Sequence, residues 1–99
     1  MGALLYGDQQ RRFEIEDRTL AHLQLVISAK LRRREPFFLS FQDGSGTTGR
    51  ASIWVSPMVP LHFKYYGSRY PVINRNWVEA LHAAANSANG LIVLEEPEA

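Results

Sequence analysis

Ala3 to Tyr6 is a short apolar run, Gly7-Asp8 is a turn signal, and Arg11 to Glu16 alternates polar and apolar through Phe13 and Ile15. This pattern predicts an N-terminal β-hairpin with its loop around Gly7 to Gln10. From Arg18 the period changes: Leu20, Leu23, Ile27 and Leu31 recur at spacings of three and four, the apolar stripe of an amphipathic helix. Asp17 is placed as its N-cap, since a carboxylate there can accept from the free amides of the first turn. Lys30, Arg32, Arg33 and Arg34 crowd the far end, where cations complement the helix dipole, and Pro36 closes the helix.

Alternation with period two then resumes. Phe37, Leu39 and Phe41 share one face of a strand over Phe37 to Gln42, and Ile53 and Val55 do so over Ala51 to Val55. Leu61 to Tyr66 sets Leu61, Phe63 and Tyr65 against His62, Lys64 and Tyr66. Gly67-Ser68 is expected to turn the chain into a return strand, Arg69 to Ile73, where Pro71 requires an edge or a strand end. Asn74 or Asn76 caps a second helix, and Asn76 with Glu79 fits a capping box. That helix carries Trp77, Leu81 and Ala84 or Ala85, and is expected to stop at Asn89-Gly90. Leu91 to Leu94 is the last strand, and Glu95 to Ala99 an acidic, frayed tail. The fold class that follows is α+β: one antiparallel sheet of about six to seven strands covered by two helices, in the order ββα-ββββ-αβ.

Composition narrows this little. The 99 residues fit a single domain spanning 1–99, with 45% hydrophobic and 21% charged residues in an ordinary globular balance. A formal charge of +1 exerts no global pull toward nucleic acid or membrane. The absence of cysteine removes disulfides, thiolate nucleophiles and zinc–cysteine sites, and suits a reducing, cytoplasmic location. Met1 to Gly7 lacks the basic start and long apolar run of a signal peptide, and no stretch has the length of a membrane span.

Candidate chemistry centres on Lys64-Tyr65-Tyr66-Gly67-Ser68-Arg69. It resembles the Lys-x-Asp-Gly-x-Arg motif of ATP-dependent DNA ligases, whose lysine attacks ATP and carries the AMP. Lys64, Gly67 and Arg69 match, and Tyr66 stands where the motif has aspartate. Such a lysine needs electrostatic support to be nucleophilic, and Mg²⁺ held by carboxylates to neutralise the triphosphate. In the ligases those groups come from motifs spread over a domain far longer than this chain. Here only Tyr65 to Ala99 follows, with Glu79, Glu95, Glu96 and Glu98 as its acids. The plainer account of the same residues is an outward-facing strand lysine, a turn glycine and an arginine on the way back.

A wider resemblance rests on Asp17-Arg18-Thr19-Leu20-Ala21-His22-Leu23, Lys30-Leu31-Arg32-Arg33, Ser52-Ile53-Trp54, Pro60-Leu61, Phe63-Lys64 and Gly67-Ser68-Arg69. Asn74-Arg75, Trp77 and Asn86-Ser87-Ala88-Asn89-Gly90 extend it. Through these stretches the chain resembles a family of small bacterial proteins, about as long as this one and of unestablished function. Members of that family often carry the automatic name ATP-dependent DNA ligase. The resemblance therefore implies the name more strongly than the chemistry.

Other motifs lead to plainer readings. Gly44-Ser45-Gly46-Thr47-Thr48-Gly49-Arg50-Ala51 has P-loop-like glycines, but Arg50 and Ala51 replace the required lysine and hydroxyl residue, and a strand rather than a helix is expected next. His22, His62 and His82 lack ligand spacing, so no metal site is expected. Glu14 and Glu16 share a strand face as solvated carboxylates.

Arg32, Arg33 and Arg34, with aromatic residues such as Trp54, Tyr65, Tyr66 and Tyr70 as stacking platforms, make nucleic acid a candidate partner. The leading expectation is a non-catalytic interaction module. It would use an exposed aromatic and basic sheet face around Trp54, Lys64, Tyr66 and Arg69 to contact a macromolecule or a second copy of the chain, with no cofactor and no membrane. The alternative is a DNA-ligase-like nucleotidyltransferase acting through Lys64 with ATP and Mg²⁺.

Overall fold

The N-terminal alternation folds as expected. In a computed structural model that describes residues 2–42 and 49–99, β1 (Gly2–Tyr6) and β2 (Arg11–Ile15) pair antiparallel, with Leu4 opposite Phe13. Helix α1 (Asp17–Arg32) follows, then β3 (Phe37–Gln42), β4 (Arg50–Val55), β5 (Leu61–Tyr65), α2 (Arg75–Ala85) and β6 (Leu91–Ile92). The order is thus ββα-βββ-αβ, an α+β fold with six strands among the described residues. The glycine-rich stretch Asp43 to Thr48, with most of the P-loop-like motif, lies outside the described residues; β4 does follow it as a strand.

The strands form two sheets where the sequence suggested one. Their orders are β2-β1-β5 and β4-β3-β6. The turn at Ser56 to Pro60, closed by Val59 N–H on Ser56 O and by Met58 N–H on the Ser56 hydroxyl, carries the chain from one sheet to the other. There β5 pairs with β1, Lys64 opposite Ala3, and the Gly7 amide donates to Pro60 O at 3.0 Å. Pairing partners distant in sequence leave no mark on local periodicity. β6 is shorter than expected and runs parallel to β3, with Leu91 beside Leu39. Gly90 (φ +78°) lets the chain enter it, because a Cβ there would stand 2.7 Å from Phe38 O.

No strand forms over Arg69 to Ile73. Pro71 has no amide to give, and the neighbouring polar groups are bound by α1 rather than by another strand. Asp17 accepts from the amides of Tyr66 and Gly67, Arg18 donates to Val72 O, and the Asn74 amide donates to His22 Nε2. Gly67 therefore starts an irregular strap across α1, not a hairpin.

The apolar stripe of α1 packs as its spacing implies: Leu20, Leu23, Val26 and Ile27 are buried with Leu4, Phe13, Leu39, Val55, Trp77, Leu81 and Leu91. α1 lies on β1 and β5, α2 on β3 and β6, and the helices touch each other. One face of each sheet is thus covered. No helix is long and apolar enough to cross a membrane among the described residues.

The helix ends depart from expectation. Glu16, not Asp17, occupies the N-cap position of α1 and makes no side-chain cap, which frees Asp17 for the strap. Lys30 is not a solvated cation: it is buried, with Nζ 2.8 Å from Asn86 Oδ1 and 3.3 Å from Glu35. That contact ties the end of α1 to the end of α2 at Asn86, well before Asn89-Gly90. Asn74 caps α2 by accepting from the Asn76 and Trp77 amides. The Asn76–Glu79 capping box does not form, since Asn76 lies inside the helix and its amide group donates to Glu98 O.

Candidate functional site

The residues expected to share one binding face are divided among three places. Lys64 and Tyr66 remain together on the outer face of the β2-β1-β5 sheet, where period two turns Lys64, Arg12 and Glu14 away from the helices. Lys64 Nζ and Arg12 Cζ stand 6.0 and 5.4 Å from the centre of the Tyr66 ring, within cation–π range, and Arg12 pairs with Glu14 at 3.2 Å. Lys64 itself is exposed. A carboxylate does reach the stretch after it, but both Asp17 oxygens are engaged on the Tyr66 and Gly67 amides, at 3.2 and 2.8 Å.

Trp54 belongs to the other sheet. On its outer face Phe38 packs against Trp54 with ring centres 5.0 Å apart, and Ser40 and Ser52 share a hydrogen bond of 2.9 Å. Ile92 lies beside Ser40. Phe38 is 50% exposed, Ile92 47% and Trp54 44%. The Tyr6 hydroxyl, at the end of the central strand of the first sheet, donates to Trp54 O on an edge strand of the second at 2.6 Å and so joins the two sheets.

Arg69 lies in a groove between the strap and α1. Its helical wall is Ala21, Leu25, Ser28, Ala29 and Arg32, and its other wall runs from Gly67 through Tyr70 to Ile73. The spacing of three and four marks a second stripe on α1, opposite in character to the core stripe. Sequence reading passed over it because alanine and serine carry little hydrophobic signal. Tyr65 closes the base, donating to Gln24 Oε1 at 2.6 Å. Burial, with the Asp17 carboxylate adding to it, pushes the Tyr65 phenol up to about 12. Arg32 and Arg69 thus meet in one groove although the sequence placed them in different candidate sites, while Arg33 and Arg34 are exposed beyond the end of α1.

The acidic tail is not frayed. Arg18 holds Glu96 with two guanidinium nitrogens, Nε at 2.7 Å, and Asn74 donates to Glu96 Oε2 and Pro97 O at 3.0 and 2.8 Å. Trp77 Nε1 donates to Leu94 O at 3.0 Å. Beneath them His22 is fully buried, 4.5 Å from the Trp77 ring, with Nδ1 donating to Arg18 O and Nε2 accepting from the Asn74 amide. Those partners select one neutral tautomer, so neither ring nitrogen is free for a metal. Among the described residues no three His, Asp or Glu side chains converge as metal ligands would.

The hydrogen bond from Arg18, reinforced by Asn74, lowers the Glu96 carboxyl from 4.5 to about 2. A depressed carboxyl contributes stability that is present above its unfolded value and is lost as pH falls toward the folded one. Acidification from about pH 5 to pH 2 is therefore expected to weaken the wild-type fold more than that of Glu96→Gln. Urea midpoints measured across that window check this, and parallel curves for the two proteins would exclude it.

Comparison with protein families finds a match over residues 1–96 to a family described as a domain of unknown function (DUF7882). Neither a curated protein nor a solved structure matches the chain.

Proposed function

The chain belongs to the DUF7882 family, and on that premise we propose that it is a small, non-catalytic interaction module that pairs with a second copy of itself. The observation that carries this is the uncovered outer face of the β4-β3-β6 sheet, where Phe38, Trp54 and Ile92 stand half exposed on three neighbouring strands. Exposed apolar side chains gathered on one flat face mark a contact surface more often than scattered ones do.

The centre of this face favours a like partner. Ser40 and Ser52 satisfy each other, and the single charge along its paired positions is Arg50, at the end of β4 opposite Gln42. An uncharged centre can meet its own copy without like-charge repulsion. The face measures roughly 20 by 15 Å from strand rise and spacing. That is below the ~800 Å² per partner of a standard interface, so the dimer is expected to be weak, with dissociation in the micromolar range or above.

Sedimentation velocity over a rising concentration series tests it. A shift toward dimer that Trp54→Ser or Phe38→Ser abolishes supports the reading. A wild-type chain that stays monomeric throughout overturns it.

The ligase-like reading assigns Lys64 as the adenylated nucleophile with ATP and Mg²⁺. Its support is the Lys64–Gly67–Arg69 spacing, which the fold draws apart: Lys64 sits on an open sheet face and Arg69 lines the groove. A Lys64 adenylate seen by intact mass after incubation with ATP and Mg²⁺ would reverse the order of the two readings.

A further inference from the structure

We propose that the groove between α1 and the strap binds an acidic amphipathic helix of a partner protein. The groove lies away from the Phe38–Trp54 face, so this inference does not depend on self-association.

Three features define the occupant. The first is charge. Arg32 and Arg69 are exposed in the groove, and among the described residues neither has an ion-pair partner and no aspartate or glutamate lines it. The chain as a whole is near neutral, so this local excess is a property of the groove. Two arginines at the border of an apolar surface select carboxylates flanking apolar side chains.

The second is the floor. Of the apolar side chains that line the groove, Leu25 and Ile73 remain 46% and 40% exposed and Tyr70 95%, which is a large apolar surface to leave in water. Much of the α1 wall is small: Ala21, Ser28 and Ala29 allow another backbone to approach closely, as helix-in-groove recognition requires. From Ala21 to Arg32 the wall runs about 16 Å, the length of three helical turns.

The third is how the groove is held open. Asp17 ties the Tyr66 and Gly67 amides, Arg18 holds Val72 O, and Gln24 holds the Tyr65 hydroxyl, all three from α1. The wall opposite α1 is therefore set before any partner arrives, and little ordering is left to oppose binding. Single-stranded nucleic acid fits less well. Its bases need a row of stacking rings above a track of cations, and of the two rings in the lining only Tyr70 stands free, Tyr65 being half-buried at the base and tied to Gln24.

Three fluorescent probes distinguish the occupants. One is a helical peptide with leucine and alanine on one face and glutamate on the other. The second is the same peptide with lysine for glutamate, and the third is an oligothymidylate. The expected result is saturable binding of the glutamate peptide only, weakened about tenfold or more when Arg32→Glu and Arg69→Glu are combined. Arg11→Glu, on β2 at the edge of the first sheet farthest from β5 and the groove, is expected to leave it unchanged. Leu25→Ser tests the floor independently of charge and should also weaken it. Amide shift changes in the wild-type spectrum are expected over 21–32 and 67–73. The proposal is overturned by no binding of the glutamate peptide, by binding indifferent to the paired reversal, or by shifts confined to the sheet faces. Binding of oligothymidylate at the groove, falling steeply with salt, would also overturn it and assign the site to nucleic acid.

Discussion

Asn74→Ala is expected to destabilise the protein by about 3 kcal/mol and to release its C-terminal tail. The side chain accepts from two amides at the start of α2 and donates to Glu96 Oε2 and Pro97 O, and it is buried. Loss of an N-cap costs about 1 kcal/mol. A hydrogen bond to a charged group adds about 1.5–3 kcal/mol and one to a neutral carbonyl about 1 kcal/mol. These terms overlap, because the tail bonds fail together. For a chain of this size the change corresponds to a melting temperature lower by roughly 15 °C.

Asn74→Asp separates the two roles. Aspartate keeps the cap but places a second carboxylate against Glu96, so α2 should hold while the tail detaches. Thermal melts combined with amide exchange at Trp77 and residues 94–98 measure both effects. A wild-type melting curve for the alanine variant would show that Asn74 is not the joint described here.

The second large effect is expected at Asp17. Its two oxygens hold the Tyr66 and Gly67 amides, and Gly2 is packed so closely beneath that a Cβ would lie 2.5 Å from Asp17 Oδ1 and 2.8 Å from Lys64 O. Asp17→Ala removes two charge-assisted bonds. Water can reach the freed amides, so about 2 kcal/mol is expected rather than the full value for buried groups. The strap should loosen, with faster exchange at Tyr66 and Gly67.

Gly2→Ala should be costly by a different route, through the clash. The double variant should cost less than the sum of the two single changes, since removing the carboxylate relieves one of the two collisions. Urea unfolding of the four proteins completes the cycle. Strict additivity would mean that Gly2 and Asp17 do not share this contact.

Much of the fold was legible because it is local. The alternation through Phe13 and Ile15, the α1 stripe and the stop at Pro36 each involve neighbours a few residues apart, and each element formed where its pattern lay. The strand expected over Arg69 to Ile73 failed for the opposite reason. Its alternation was weak, Arg18 took the Val72 carbonyl within it, and the amides flanking it at Gly67 and Asn74 were taken by Asp17 and His22, some fifty positions earlier. Period and propensity do not report such partners.

The candidate site shows the same division. Lys64 and Tyr66 stay together because they are two apart on a strand, whereas Trp54 was carried to a different sheet by the turn at Ser56 to Pro60. Arg32 and Arg69 met because the strap crosses α1, and no spacing between them foretold it. Buried Lys30 and His22 looked like ordinary helix residues in the sequence. Their partners, Asn86 and Asn74, cap the two ends of α2.

By itself, then, the sequence determined the α+β class, both helices, five of the six strands closely and the outward direction of Lys64, since hydrophobic periodicity acts within each segment. Tertiary structure alone decided that there are two sheets, that the acidic tail is clasped and that a basic, apolar groove exists. Each of these depends on hydrogen bonds and packing between residues far apart in the chain, which form only when the folded backbone brings them together.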